Sequence, residues 1–339
     1  MKLIRTEDAV GSVLCQDMTQ IIPGKFKGAR FKKGHIVTAE DIPVLLSMGK
    51  ENLYVFELKE GWLHENDAAA RLARIAGSVN MTASDVSEGK IELRAAIDGC
   101  FLVDTEKLNA VNSIDQLMMA TRKGGTAVKK GDKLCGTRII PLVIEEEKIR
   151  QAEQIVGEQP ILSLLPYTVK TAAIITTGSE VAKGLIKDSF TPIVERKLAD
   201  YGISVIFHET PGDGVSNVAA SIARARAAAP DLILCTGGMS VDPDDSTPGA
   251  IAKSGAQIVS YGAPVLPGAM LLVGYYADGT PVLGLPGCVM FAKATVFDLI
   301  LPRVAAGVRL AKKDIVAYGE GGLCLGCPEC TYPQCAFGK

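Results

Sequence analysis

Residues Asp231 to Ala250 read DLILCTGGMSVDPDDSTPGA, and the reading of this stretch decides the fold. The apolar run Leu232-Ile233-Leu234-Cys235 has the length and flanks of a buried strand, and it empties directly into Thr236-Gly237-Gly238. In an open parallel sheet, ligands sit outside the carboxyl ends of the strands. Paired glycines there let main-chain N–H groups approach an anion with no Cβ in the way, so a phosphate is the natural guest. The loop continues through Asp242, Asp244 and Asp245 to Ser246-Thr247-Pro248 and a helix start. Carboxylates beside a phosphate repel it unless a hard cation lies between them, a role that suits Mg²⁺.

On both sides of this stretch, from Val169 onward, the chain repeats strand, loop and helix. Thr171 to Thr176 (TAAIIT) reads as a buried strand ending in Thr177-Gly178-Ser179-Glu180, followed by a helix from Asp188 to Leu198. Ser204 to Phe207 is a second strand, whose loop HETPGDG carries Asp213 ahead of a helix from Ser216 to Ala229. After the helix from Thr247 come a β-rich excursion from Gln257 to Tyr275, a strand at Val282-Leu283, and Leu285-Pro286-Gly287-Cys288 opening a helix to Ala305. Such alternation predicts an α/β fold over 166–310: a Rossmann-like, three-layer unit with a parallel sheet and helices on both faces. Every loop named follows a strand. Thr177, Gly178, Ser179, Glu180, Asp188, Asp213, Thr236, Gly237, Gly238, Asp244, Asp245, Ser246, Pro286, Gly287 and Cys288 should therefore converge on one cleft. Bare glycine amides and the Ser179 hydroxyl would take a terminal phosphate, helped by the helix starts at Asp188 and Thr247. Asp213 also fits a simple Gly-Asp-Gly turn, and Glu180 a carboxylate at a helix start with no ligand.

Four ordered motifs, TTGSE, PGDG, TGG…DDSTP and LPG, resemble the molybdopterin-binding domain of molybdenum-cofactor biosynthesis proteins, a family that includes an adenylyltransferase and a molybdenum insertase. The resemblance covers Val169 to about Ala306. It implies a ligand that is molybdopterin or its adenylylated form, with Asp245 and Asp213 handling Mg²⁺ and the reacting phosphate or molybdate. The amino-terminal segment is similar to that of insertases, with a "G…L…D" opening before a "G…V…ED…L…G" helix. It lacks the longer acidic and aromatic stretch by which an insertase completes its site across a dimer. Two further departures stand out. Insertases tend to show Pro-Gly-Lys-Pro where this chain has Pro267-Gly268-Ala269-Met270, and Pro-Gly-Asn-Pro where it has Pro286-Gly287-Cys288-Val289. A lysine that would meet an anion is thus missing, as in a binding or specialised member. The resemblance implies a molybdopterin-binding, homo-oligomeric protein that inserts molybdate with Mg²⁺, a molybdotransferase of the insertase branch. Two alternatives stay open. One is a non-catalytic cofactor carrier or sensor that serves a molybdoenzyme. The other is an enzyme of the same fold acting on pyridine nucleotides, as in the similar competence/damage-inducible family.

Ahead of this domain, residues 1–77 read as a small α+β unit. Its elements are strands at Gly11 to Leu14, Ala29 to Val37 and Leu53 to Leu58, a helix from Ala39 to Met48 capped by Thr38, and a helix from Glu65 to Ala76. Residues 78–157 read as a β-rich unit with strands at Lys90 to Ala96 and Gly99 to Val103, a helix near Ile114 to Thr121, and a closing helix from Glu145 to Val156. Gly157 to Pro166 is the linker, and Trp62 a packing anchor between the first two units. His35, His64 and His208 have no Cys or acidic partner at ligand spacing, so the sequence assigns them no metal.

The 339 residues carry a net charge of −2, too little basic field to hold nucleic acid or an anionic membrane. No signal-peptide core follows Met1, and the longest uncharged run, Ser254 to Ala277, is broken by Pro264 and Pro267, so a cytoplasmic location is expected. Of nine cysteines, five are scattered as buried small hydrophobes would be. The other four, Cys324, Cys327, Cys330 and Cys335, form a C-x₂-C-x₂-C-x₄-C array in a Gly- and Pro-rich tail, 311–339. That array suits a [4Fe–4S] cluster, whose ferredoxin-type run begins with the same spacing, or a tetrahedral Zn²⁺ site.

Overall fold

The run beginning at Leu232 is the third strand, in chain order, of a six-stranded sheet: Thr171–Thr176 (β1), Ser204–Glu209 (β2), Leu232–Thr236 (β3), Gln257–Tyr261 (β4), Leu272–Tyr275 (β5) and Pro281–Leu285 (β6). The computed structural model describes residues 2–22, 25–56, 60–178, 188–240 and 245–339. Across the sheet the order is β2-β1-β3-β6-β5-β4. β1, β2, β3 and β6 run parallel, with Ile174 opposite Leu234 and Leu234 opposite Leu283. Strands covered on both faces can be apolar throughout, and all five residues of β3 are buried. Alternate residues serve opposite cores. Ile174, Leu234 and Leu283 join Val194, Phe297 and Ile300 in one. Ile175, Ile233 and Val282 join Val218, Ile222 and Ile251 in the other. The helices Thr191–Ala199 (α1) and Val296–Ala305 (α4) therefore cover one face, and Val215–Ala227 (α2) and Thr247–Lys253 (α3) the other.

Three details depart from the sequence reading. The sheet is mixed, because the chain after α3 returns as a hairpin. β4 and β5 are antiparallel to each other, and β5 is antiparallel to β6. The expected helix from Cys288 to Ala305 is instead a short 3₁₀ turn, Gly287–Met290, followed by α4. A capping box fixes the later start. Phe297 N donates to Thr295 Oγ1 (3.2 Å) and Thr295 N to Asp298 Oδ2 (2.7 Å). Likewise α1 begins at Thr191 rather than Asp188, for a reason given below.

The chain divides into two units, one of Met1–Ile97, Phe101–Gly124 and Lys129–Leu164, the other of Asp98–Cys100, Gly125–Val128 and Leu165–Lys339. In the first, the helices Glu65–Ala76 and Glu146–Val156 are tied by Arg71, which holds Glu153 (2.7 Å) and Glu146 (2.8 Å). Leu117–Thr121 is a strand, not a helix, paired with Lys133–Ile139. Its buried Leu117 and Met119 alternate with more exposed neighbours, a period of two. The helix of that region lies earlier, at Thr105–Asn112, where Asp104 accepts from Lys107 N. The helix expected from Ala39 spans Asp41–Ser47, since the amide and hydroxyl of Thr38 both donate to Asp41. The expected strand pair at Ala29 to Val37 is a hairpin of Met18–Ile22 and Phe26–Phe31. Leu58 lies outside the described residues, and its strand is described as Asn52–Phe56. Part of the expected linker, Leu162–Leu165, is a strand. Trp62, expected as a packing anchor, is 39% exposed. Among the described residues, no helix is long and apolar enough to cross a membrane.

Candidate functional site

At the carboxyl ends of β1 and β3 the backbone turns under tight constraint. Gly237 (φ +81°) packs so closely that a Cβ there would lie 2.3 Å from the Thr177 carbonyl oxygen. Gly238 (φ +53°) has the hydroxyls of Thr177 and Thr247 about as near as a Cβ could tolerate, at 3.1 and 3.0 Å. Only glycine combines that left-handed backbone with that approach. Threonines bind the two loops together. Thr177 N and Oγ1 donate to the Thr236 carbonyl (2.7 and 3.1 Å), and Thr247 Oγ1 donates to the Gly237 carbonyl (2.9 Å). Thr236 is itself fully buried, and its hydroxyl has no hydrogen-bond partner among the described residues.

The same junction draws in the neighbouring loops. Ser246 Oγ accepts from Gly214 N (3.2 Å), which brings the loop of Asp213 to the start of α3. Asp245 Oδ2 accepts from Ser240 N (2.6 Å), and Tyr261 on β4 donates its hydroxyl to the Met239 carbonyl (3.0 Å). The result is a cleft of about 500 Å³ walled by Gly237 to Ser240, Asp245, Phe190, Leu266 to Met270 and Pro286 to Cys288.

Gly237, Gly238, Asp245, Pro286, Gly287 and Cys288 thus line one cleft. Thr177, Thr236 and Ser246 brace its floor through the bonds just given. Ser179, Glu180, Asp242 and Asp244 lie outside the described residues, and Gly178 is the last described residue before them. Asp213 is exposed in the adjoining loop. Asp188 is occupied otherwise: its Oδ1 accepts from the amides of Phe190 (2.8 Å) and Thr191 (3.1 Å), and its Oδ2 from the Thr191 hydroxyl. It closes the first turn of α1, which is why the helix begins after it. Burial alone would raise the Asp188 pKa. The bonds from Thr191 and Phe190, with the nearby His208 charge, outweigh burial and hold the carboxyl below its ordinary range.

His208, which the sequence left without a partner, has Nε2 3.1 Å from Thr191 Oγ1, 3.3 Å from Thr176 Oγ1 and 3.5 Å from Asp188 Oδ2. His35 likewise meets Asp41, at 2.7 Å. Sequence spacing hides both pairs, because strand register and loop return create them. The wall from Leu266 to Met270 was visible only as a departure from an insertase motif. Met239 carries no sequence signal of its own, yet its sulfur sits 2.6 Å from where a Cβ on Gly284 would be, so only glycine at that point of β6 leaves it room.

Electrostatically, the described lining contains no lysine or arginine, and burial pushes the Cys288 thiol above its ordinary value, which keeps it neutral near pH 7. Asp245 is the one carboxylate among the described lining residues. A larger cavity, about 650 Å³, lies at the opposite strand ends around Thr168, Asp231 and Pro281. There Arg226 is committed to Asp278 (2.8 Å) and to the Tyr276 ring, and Arg309 lies over Tyr275. That cavity has cations already spent on partners, whereas the described lining of the smaller cleft has none.

A family model described as a probable molybdopterin binding domain matches residues 173–306, the span that builds both the sheet and this cleft. Residues 173–306 belong to the molybdopterin-binding domain family. A second model, described only as a domain of unknown function, matches residues 3–57. The chain is also similar over a short stretch to curated bacterial proteins. A putative competence-damage inducible protein of Levilactobacillus brevis is 35% identical over 81 residues, 24% of this chain and 19% of that protein. One of a Geobacillus species is 39% identical over 84 residues, 24% of this chain and 20% of that protein. The match thus spans about a fifth of those relatives' own length. Among solved structures, the molybdopterin biosynthesis enzyme MoaB from Thermus thermophilus is 23% identical, with a TM-score of 0.36 over 40% of this chain and 91% of that one.

Proposed function

We propose that the molybdopterin-binding domain takes molybdopterin or adenylyl-molybdopterin in the cleft of Gly237, Gly238, Asp245 and Gly287, and that with Mg²⁺ it inserts molybdate and releases AMP. The observation that carries this reading is the meeting of Gly237, Gly238 and Gly287 with a single carboxylate, Asp245, in the described lining of one cleft. An anion there is bound by backbone dipoles, which the glycines leave accessible. Phe190, Met239 and Leu266 supply an apolar surface for a flat ring system. The Tyr261 bond to Met239 and the Ser240 bond to Asp245 hold the loop in shape before the ligand arrives. When bound, Mg²⁺ would neutralise charge on the phosphate oxygens, and Asp245 is the residue that would hold it. Asp213, in the loop tied on by Gly214 and Ser246, is proposed to act with it.

The test is incubation of the full chain with adenylyl-molybdopterin, molybdate and Mg²⁺. AMP release is the expected result, and its absence despite binding would remove the insertion step. Such an outcome would support a second reading, a non-catalytic carrier of the cofactor for a molybdoenzyme. The missing lysine favours that reading specifically, since Ala269 stands where insertases tend to place it, and Cys288 stands where they tend to place asparagine. Mass spectrometry of co-purifying small molecules separates both from a pyridine-nucleotide enzyme of the same fold. Self-association into a homo-oligomer belongs to the same proposal, with light scattering as its check.

A further inference from the structure

The cysteine tail is docked, not trailing. Leu266 N donates to the Gly322 carbonyl and Cys324 N to the Leu266 carbonyl, both at 2.8 Å, and Gly338 N returns to Gly321 O at 2.8 Å. Tyr332 donates to the Asp298 carbonyl (3.1 Å), and Phe337 is 4% exposed in the core that α4 builds. Held this way, the tail closes a cavity of about 280 Å³, and all four of its cysteines line it, together with Ala292, Lys293, Tyr332 and Phe337.

A tetrahedral zinc site needs its sulfurs to converge on one point, with bonds of roughly 2.3 Å. Among the described residues, no three Cys, His, Asp or Glu side chains come together in that manner. Four cysteines in the lining of one cavity match a different demand, since a cubane cluster holds its cysteines at four separate corners with its own body between them. The spacing agrees. Cys324, Cys327 and Cys330 repeat the C-x₂-C-x₂-C run of bacterial ferredoxins, in which the fourth cysteine ligates another cluster. Here the fourth, Cys335, comes one residue later and lines the same cavity as the other three.

We infer that Cys324, Cys327, Cys330 and Cys335 bind a single [4Fe–4S] cluster in this cavity. The cluster enters by ligand exchange. Four Fe–S(Cys) bonds form, four bonds to the thiolates of a donor break, and each cysteine proton passes to a departing thiolate, with no net change of electrons. Tyr332, Phe337 and Ala292 shelter the cluster, and Lys293 sits where it can offset the cluster's negative charge.

The full chain, reduced and free of oxygen, is mixed with a preformed [4Fe–4S] cluster carried by small thiolates, desalted, and assayed for iron, sulfide and zinc. Its electron paramagnetic resonance spectrum is recorded after dithionite reduction. About four irons and four sulfides per chain are expected, with a signal typical of a reduced cubane. Cys327→Ser and Cys330→Ser, both at exposed positions, should retain at most a tenth of the iron with an unchanged unfolding midpoint, while Cys15→Ser should load fully. Retention of no iron, of two irons per chain, or of zinc in preference to the cluster overturns the inference, as does full loading of both exposed-site variants.

Discussion

At the residue scale, two glycines of the cleft are held for different reasons, and substitution separates them. Gly237→Ala sets a Cβ against the Thr177 carbonyl at a positive φ, so it should destabilise the domain by roughly 1–3 kcal/mol, measured by urea unfolding. Gly287 has nothing within 4 Å of an added Cβ, so Gly287→Ala should unfold like the wild type. Asp245→Asn keeps an oxygen for Ser240 N and removes only the charge. Under the insertion reading it should bind adenylyl-molybdopterin while releasing AMP on the order of 10²-fold more slowly. Equal rates would end the role proposed for Asp245. Asp188 has a lowered pKa in the folded state, so its stabilising contribution is complete above the ordinary carboxylate range and is lost as pH falls through the folded value. The stability gap between wild type and Asp188→Ala should therefore be about 1 kcal/mol at neutral pH and close in acid, as read from denaturation midpoints. The glycines were legible in the sequence only in combination: Gly-Gly after an apolar run fits a plain tight turn, and the aspartates and Ser246-Thr247-Pro248 that follow it are what point to a ligand. The duty of Asp188 was not, because whether a carboxylate caps a helix or faces a ligand depends on where the helix begins.

At the element scale, the parallel strands were legible for a simple reason: β1 and β3 are apolar on both faces and end in glycine loops. The hairpin of β4 and β5 was legible only as β-rich sequence, since strand direction depends on a connection that composition does not encode. The start of α4 was hidden in another way. Asp298 closes the capping box with Thr295 and also pairs with Lys197 from α1, both carboxylate and ammonium being largely buried. Nothing near Asp298 in sequence announces that distant lysine. Asp298→Ala removes the cap and leaves Lys197 buried without its charge partner, so it should cost about 3 kcal/mol, more than Lys197→Met, in the same unfolding assay. A loss equal to or smaller than that of Lys197→Met would contradict both the contribution of the cap and the cost assigned to the unpaired lysine.

At the scale of the whole molecule, the last residues are part of the α/β unit and not an appendage. Their anchor is backbone pairing of Leu323 with Leu266, a wall of the cleft, together with the buried ring of Phe337. Sequence could show that the tail was compact, through its glycines and prolines, but not where it docks, because main-chain hydrogen bonds leave no trace in residue type. Phe337→Ala should lower the stability of the unit by about 3 kcal/mol, seen as an earlier unfolding transition. The cleft beside it carries the central claim, and equilibrium titration with adenylyl-molybdopterin in the presence of Mg²⁺ tests that claim most directly, using the wild-type chain and Gly287→Val. One ligand per wild-type chain and an affinity at least tenfold weaker in Gly287→Val, with unfolding unchanged, is the predicted result. Equal affinity in the two proteins, or no binding by the wild type, would contradict it.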